Sequence, residues 1–276
     1  MENVLKKIDT EDKINKYELK RILHSEEITT VFQPIVSLQN GSIIGYEALS
    51  RGPKNSFLKY PDKLFATAEK NNMLWDLEYL CRKKAIEKAC SMEINKFLFI
   101  NVDPLIIKDE KFKKGFTKEF LHQYNISPES IIFEITERTA IEDYPSFKAA
   151  LNNYVEQGYK IAIDDTGAGY SGLKMLSEVK PHYIKIDMDL IRDIDKDSFK
   201  QALIKCFVTL SEVTNMKLIA EGIETYEELI TLINMGVYAG QGYFIQRPTE
   251  NTLEITHAIK TLIIQQNNIS NKITAF

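Results

Sequence analysis

Short apolar runs alternate with longer stretches of helical periodicity along this chain, and most of the short runs end on an acidic or amide residue. The runs at 43–46, 97–100, 131–133, 161–163, 183–186 and 218–220 are rich in Ile, Leu, Phe and Tyr, too short for helices, and read as buried strands. Amphipathic stretches at 74–92, 144–157, 198–214 and 225–235 read as helices, and strand–helix alternation predicts a parallel sheet. With 31–36 and 237–239 counted there are eight candidate strands, which predicts an α/β fold, a TIM-like (β/α)8 barrel. Such a barrel gathers chemistry at the C-terminal ends of its strands. The residues at the run ends, Glu47, Asn101, Glu134, Asp164 with Asp165, Asp187 and Glu221, are therefore expected to converge.

Length and composition narrow this further. The chain has 276 residues with 44% hydrophobic content, enough for one substantial core and one main barrel. A net charge of −4 offers no broad basic face, which argues against a nucleic-acid polymer or an anionic lipid surface as partner. Cys81, Cys90 and Cys206 form no CxxC; as an odd set without an apolar secretion signal they predict reduced thiols, buried in helices, in a cytoplasmic protein. No apolar stretch reaches the roughly 20 residues that cross a bilayer, so no membrane span is expected. Residues 1–28 are charged, with Leu5, Ile8, Ile14, Leu19, Ile22 and Leu23 spaced as in an amphipathic lead-in helix. That helix is open to three roles: packing on the barrel, pairing with a second copy, or linking to a sensor.

Carboxylates with one amide, and no Cys or well-spaced His among them, make a hard-oxygen ligand set suited to Mg²⁺ or Mn²⁺ rather than structural zinc. Two such ions about 3.5–4 Å apart can share a carboxylate and support in-line attack of water on a phosphodiester. Asp164-Asp165 is the natural shared point, since adjacent acids at a strand end repel unless cations or hydrogen bonds compensate. Gly167-Ala168-Gly169 follows, either a plain turn between strand and helix or a loop that moves Asp165. Lys185 sits inside an apolar run, and a barrel-facing lysine beside acids reads as function rather than packing. Arg51, four residues after Glu47, offers a fork of donors to a phosphate. His24, His122, His182 and His257 lack metal-ligand spacing.

Glu47-Ala48-Leu49, preceded by Phe32-Gln33-Pro34 and followed by Ser50-Arg51, closely resembles the signature of the EAL-domain family of bacterial cyclic di-GMP phosphodiesterases. The resemblance continues through Ile100-Asn101, Phe133-Glu134-Ile135-Thr136-Glu137, the segment from Asp164 to Ser171, Ile184-Lys185-Ile186-Asp187, Ala220-Glu221-Gly222-Ile223-Glu224 and Gln241-Gly242-Tyr243, covering about 29–250. It implies a barrel with an antiparallel first strand, and a division into a lead-in at 1–28 and an EAL phosphodiesterase domain at 29–276. It also implies that Glu47, Asn101, Glu134 and Asp164 hold one metal and that Asp164, Asp165 and Glu221 hold the second. Lys185 would position or activate the water, supported by Asp187, Glu224 and Gln241; Arg51 would hold the phosphate, Gln33 and Asp76 would approach the nucleotide, and Glu137 would anchor the mobile loop. The reaction so implied is metal-dependent hydrolysis of cyclic di-GMP to linear 5′-pGpG, in a homodimer; the sequence does not reveal the sensory input, which is open to a separate partner. The chain departs from the family pattern at Thr166 and Gly172, where the family usually has Phe and Ser, which bears on loop rigidity rather than on ligands.

Two rival readings remain. A cyclic di-GMP receptor without turnover needs fewer exact groups than catalysis does. An acid–base glycosidase also uses a barrel and paired carboxylates, but needs no lysine and calls for sugar-stacking aromatics, whereas Trp75 is the only tryptophan.

Overall fold

The computed structural model describes residues 2–136, 144–167, 172–251 and 254–274. Eight strands close into a barrel in sequence order: β1 (Thr29–Ser37), β2 (Ile43–Arg51), β3 (Phe97–Asn101), β4 (Ile131–Thr136), β5 (Lys160–Thr166), β6 (Tyr183–Ile186), β7 (Lys217–Ala220) and β8 (Ala239–Gly240). The strands from β3 to β8 pair in parallel, and β1 closes the ring antiparallel to β8, as Val36 faces Gly240 and Ser37 faces Ala239. β1 reverses direction because only a tight turn joins it to β2: Gly41 N–H donates to the Ser37 carbonyl at 2.9 Å and Ser37 N–H to Ser42 at 2.8 Å. A turn that short forces antiparallel neighbours, whereas the other strands are separated by helices long enough for parallel crossovers. β8 begins later than the apolar run at 237–239, since Val237 N–H is taken by the Leu232 carbonyl at the end of the helix Tyr226–Asn234 (3.1 Å).

Two compact units are distinct within the chain. The larger comprises Phe32–Glu47, Asn95–Leu105 and Pro128–Phe276 and holds most of the barrel. Its interior is a layer to which seven strands contribute one buried residue each: Ile35, Phe99, Ile132, Ala162, Tyr183, Ile219 and Ala239. Tyr183 meets Phe99 edge to face, with centroids 5.3 Å apart. Gly45 of β2 leaves room for that ring, for a Cβ there would lie 2.8 Å from Phe99 and 2.6 Å from the Phe97 carbonyl. Outside the barrel, the helix Ser198–Thr214 starts at Asp197, whose carboxylate accepts from Phe199 and Lys200 N–H at 2.9 and 3.1 Å. The helix His257–Thr274 reaches Leu38 through Asn267 Nδ2, 2.8 Å from the Leu38 carbonyl.

The smaller unit comprises Met1–Val31, Ala48–Ile94 and Ile106–Ser127. The N-terminal helix spans Glu2–Ser25; its Leu19 and Ile22 are buried with Leu58, Leu64, Ala68, Leu77 and Leu80, while Ile14 faces outward. In the same unit Arg82, fully buried, donates to Glu78 at 3.0 Å and to Thr117 at 3.0 Å and lies 4.7 Å over the Phe116 ring. Glu78→Ala would remove the buried carboxylate to which that guanidinium donates. A loss of about 3 kcal/mol is expected in urea unfolding. An unchanged midpoint would show that the pair contributes nothing.

The expectation that all three cysteines are buried is corrected at Cys206, which is exposed on the outer face of its helix; Cys90 is half-buried, and Cys81 is buried with its thiol pushed up to about 12 by burial. A helix that packs one side on a barrel leaves the opposite positions in water whatever their side chain. Among the described residues no helix is long and apolar enough to cross a membrane.

Candidate active site

One rule of strand geometry builds the site. Successive side chains of a strand point to opposite faces, so the residue two places beyond an interior side chain is also interior. Two places beyond the apolar layer stand Asn101 after Phe99, Glu134 after Ile132, Asp164 after Ala162, Lys185 after Tyr183, Glu221 after Ile219 and Gln241 after Ala239. On the reversed β1 the same step runs backward, from Ile35 to Gln33. The apolar floor is thus roofed by a polar layer at the strand ends.

Lys185 is the centre of that layer. It is 1% exposed, and its Nζ lies 2.7 Å from Glu134, 2.8 Å from Glu221, 3.2 Å from Asp164 and 3.8 Å from Glu47. Burial alone would favour the neutral amine, but these four carboxylates outweigh it and raise the Lys185 pKa well above the ordinary lysine value. Burial, with the neighbouring acids, drives Glu134 well above the usual carboxylate range against the pull of Lys185, and Glu221 is raised in the same way. Asp164 goes the other way: burial opposes its charge, but the Lys185 ammonium, with hydrogen bonds from Glu221 and the Asp165 backbone, holds its pKa low. Asp164 and Glu221 are thus pushed in opposite directions by the same buried surroundings.

Amides frame the acids. Asn101 Nδ2 donates to Glu47 at 2.9 Å and to Glu134 at 3.1 Å; Gln241 Nε2 donates to Glu47 and, at 3.2 Å, to Gln33, whose own amide reaches the Gln246 carbonyl at 3.0 Å. Glu134 Oε1 and Asp164 Oδ1 are buried at ion-pair distance from Lys185 yet accept no aligned hydrogen bond. Buried carboxylate oxygens with unused lone pairs, in an all-oxygen set, fit a hard divalent cation.

Asp165 breaks the alternation. The register of β5 against β6 shifts between Ile163 and Thr166, and Asp165 adopts a left-handed backbone with φ of 54°. In a regular strand Asp165 would point away from Asp164. The bulge turns it back, and Asp tolerates the left-handed region better than most side chains. Ligand oxygens of Asp164, Asp165 and Glu221 consequently lie within 4.8 Å of one another, a spacing that can hold a metal ion. The turn after Glu221 is equally constrained, as Gly222 has φ of 66° and a Cβ on it would lie 2.4 Å from Met188.

The remaining sequence candidates have their own partners. Asp187 caps the helix Met188–Ile191, accepting from Asp189 N–H at 2.8 Å, and Glu224 pairs with Arg192 at 3.1 Å. Arg51 and Asp76 belong to the smaller unit, where Arg51 Nη1 donates to the Ser50 carbonyl at 2.9 Å and Asp76 pairs with Lys111 at 2.7 Å. Glu137 and the loop glycine Gly169 lie outside the described residues. Thr166, one of the two departures, is buried with its hydroxyl unpartnered. Glu228 escaped the sequence reading, although Thr225-x-x-Glu228 is the pattern of a capping box and that box is formed.

Comparison with known proteins places this geometry. The profile described as "EAL domain" matches residues 17–248. A probable cyclic di-GMP phosphodiesterase of Escherichia coli K12, PdeB, is 29% identical over 244 residues, covering 86% of this chain but 46% of PdeB, so the chain spans under half the length of that relative. A standalone versatile EAL protein from Vibrio cholerae O395, solved in its c-di-GMP bound form, is 31% identical with a TM-score of 0.73, covering 84% of this chain and 97% of that one. BlrP1 of Klebsiella pneumoniae, solved as a manganese/cy-diGMP complex, is 29% identical with a TM-score of 0.75, covering 81% of this chain and 56% of BlrP1. A match of this extent, on a barrel whose strand ends carry Glu47, Asn101, Glu134, Asp164, Lys185 and Glu221 in one polar layer, means that this chain belongs to the EAL domain family.

Proposed function

We propose that this protein is a divalent-metal-dependent phosphodiesterase that hydrolyses cyclic di-GMP to linear 5′-pGpG. The observation that carries the reading is the convergence of Glu47, Glu134, Asp164 and Glu221 on Lys185, with Asp165 beside Asp164 and Glu221. A surface acid cluster would not bury its only lysine among four carboxylates, and relatives named or solved with cyclic di-GMP supply the substrate class.

Glu47, Asn101, Glu134 and Asp164 hold one Mg²⁺ or Mn²⁺ in this reading, and Asp164, Asp165 and Glu221 hold the other. Two such cations, when bound, polarise the phosphodiester and lower the pKa of the attacking water. Lys185 neutralises the carboxylates before the cations enter and afterwards offers an N–H to the water. Gln241 keeps Glu47 turned into the site, Asp187 and Glu224 fix the loops after β6 and β7, and Glu137 anchors the loop of the Asp pair. Arg51 takes the phosphate, and Gln33 and Asp76 take the nucleotide. The protein is proposed to act in the cytoplasm as a homodimer answering to a separate sensory partner.

The test is product formation from cyclic di-GMP in Mg²⁺, Mn²⁺ or chelator, with Glu47→Ala alongside. Metal-dependent pGpG, lost in chelator and in the variant, is the expected result. Tight binding without product would instead make the chain a receptor.

A further inference from the structure

Glu228 does more than cap its helix. A capping box needs one carboxylate oxygen, and Glu228 Oε2 meets that need by accepting from Glu224 N–H at 2.8 Å and Thr225 N–H at 3.1 Å. Its other oxygen is turned to the loop after β6, where Oε1 accepts from Arg192 Nη1 at 3.2 Å and Asp193 N–H at 3.1 Å. The residue is 1% exposed, so its carboxylate is sheltered from water. Arg192, held in this way, sends Nη2 to the Gly222 carbonyl at 3.4 Å and to the Glu224 carboxylate at 3.1 Å. Gly222 is the peptide neighbour of Glu221, whose N–H is tied on its other side to the Ile186 carbonyl at 3.1 Å.

We propose that Arg192, oriented by the buried Glu228, is a positioning residue for Glu221. It fixes the turn from Glu221 to Thr225 so that the cation held by Asp164, Asp165 and Glu221 meets its third ligand already in place. The proposal rests on the two-cation reading given above. Outer partners that orient metal ligands change affinity by about 10- to 100-fold when removed. A free turn would sample orientations that withdraw the Glu221 carboxylate, whereas the ligands Glu47, Asn101 and Glu134 stand on other strands and would keep their places.

The experiment is a calorimetric Mn²⁺ titration of wild type, Arg192→Met and Glu228→Gln, with turnover followed against Mn²⁺ concentration. Arg192 is partly exposed, so its replacement leaves the core intact. In both variants one binding step should weaken about 10- to 100-fold while the other is unmoved, and saturating Mn²⁺ should restore turnover. Wild-type affinities in both variants overturn the proposal, as does a turnover that excess Mn²⁺ does not restore. If the wild type itself binds a single Mn²⁺, the two-cation reading fails on its own account. Amide exchange across 218–226 in metal-free protein then still judges the clasp: faster exchange in Arg192→Met upholds it, and equal exchange overturns it.

Discussion

Lys185→Met is expected to lower kcat by about 10²- to 10⁴-fold, the range contributed by a positioned group that handles the proton of the attacking water. The same substitution should destabilise the metal-free protein, and the two effects share a cause. The ammonium lies within 4 Å of Glu134, Glu221, Asp164 and Glu47 and is itself buried. Removing one partner of a buried ionic cluster costs about 3–5 kcal/mol, because the charges left behind have neither water nor counter-ion. The deficit should shrink in Mn²⁺, since cations replace the lost positive charge and stabilise whatever state binds them. It should also shrink as pH falls. Glu134 and Glu221 have folded-state pKa values raised above the ordinary glutamate value, so each binds its proton more tightly folded than unfolded. The penalty they impose is present above the folded pKa and is relieved as pH drops through it. Thermal unfolding with and without Mn²⁺ at two pH values, beside steady-state turnover, checks all of this. A variant as stable as wild type without metal would mean that Lys185 does not neutralise the cluster.

Asp164→Asn should cost less stability than Lys185→Met. Asn keeps the shape but removes a charge that Lys185 and the surrounding hydrogen bonds favour in the folded state, so metal-free stability should fall, though by less than in Lys185→Met, which strips the remaining acids of their counter-ion. Turnover should fall by about 10³-fold or more, the several kcal/mol that bound cations supply, because Asp164 is the proposed ligand of both. Raising Mn²⁺ should not restore it. Rescue at high Mn²⁺ would move the shared role to another acid, with Glu221 the first candidate, since it lies with Asp165 in the same cluster. Together the two variants separate charge neutralisation from metal ligation: one loses stability that metal returns, and the other loses metal with a smaller loss of stability that metal does not return.

Much of this was legible in the sequence because barrel strands are short, apolar and regular. The runs at 97–100, 131–133 and 183–186 sit inside β3, β4 and β6, and Asn101 and Glu134, which follow the first two, and Lys185, inside the third, occupy the polar layer. The family blocks added Gln33 and Gln241, which composition could not single out, and both join the network around Glu47. Other groups were hidden. Asp187 looked like a further acid of the layer, yet it stands one residue past the end of β6 and its carboxylate turns to the Asp189 N–H. A capping acid and a ligand acid look alike until the backbone shows which way the next residue turns.

The chain by itself determined the alternation of strand and helix, the barrel and the identity of the polar residues at its strand ends, because each follows from period-2 or period-3.6 burial of apolar side chains within one element. Tertiary structure alone decided how those residues face one another. The left-handed turn that brings Asp165 back beside Asp164, the four-carboxylate shell around Lys185 and the Glu228–Arg192 clasp across two loops all join residues far apart in sequence or depend on a bulge between two strands. Local patterns specify which face is buried. Which charges then meet is fixed only when the barrel closes and burial leaves each of them no water to turn to.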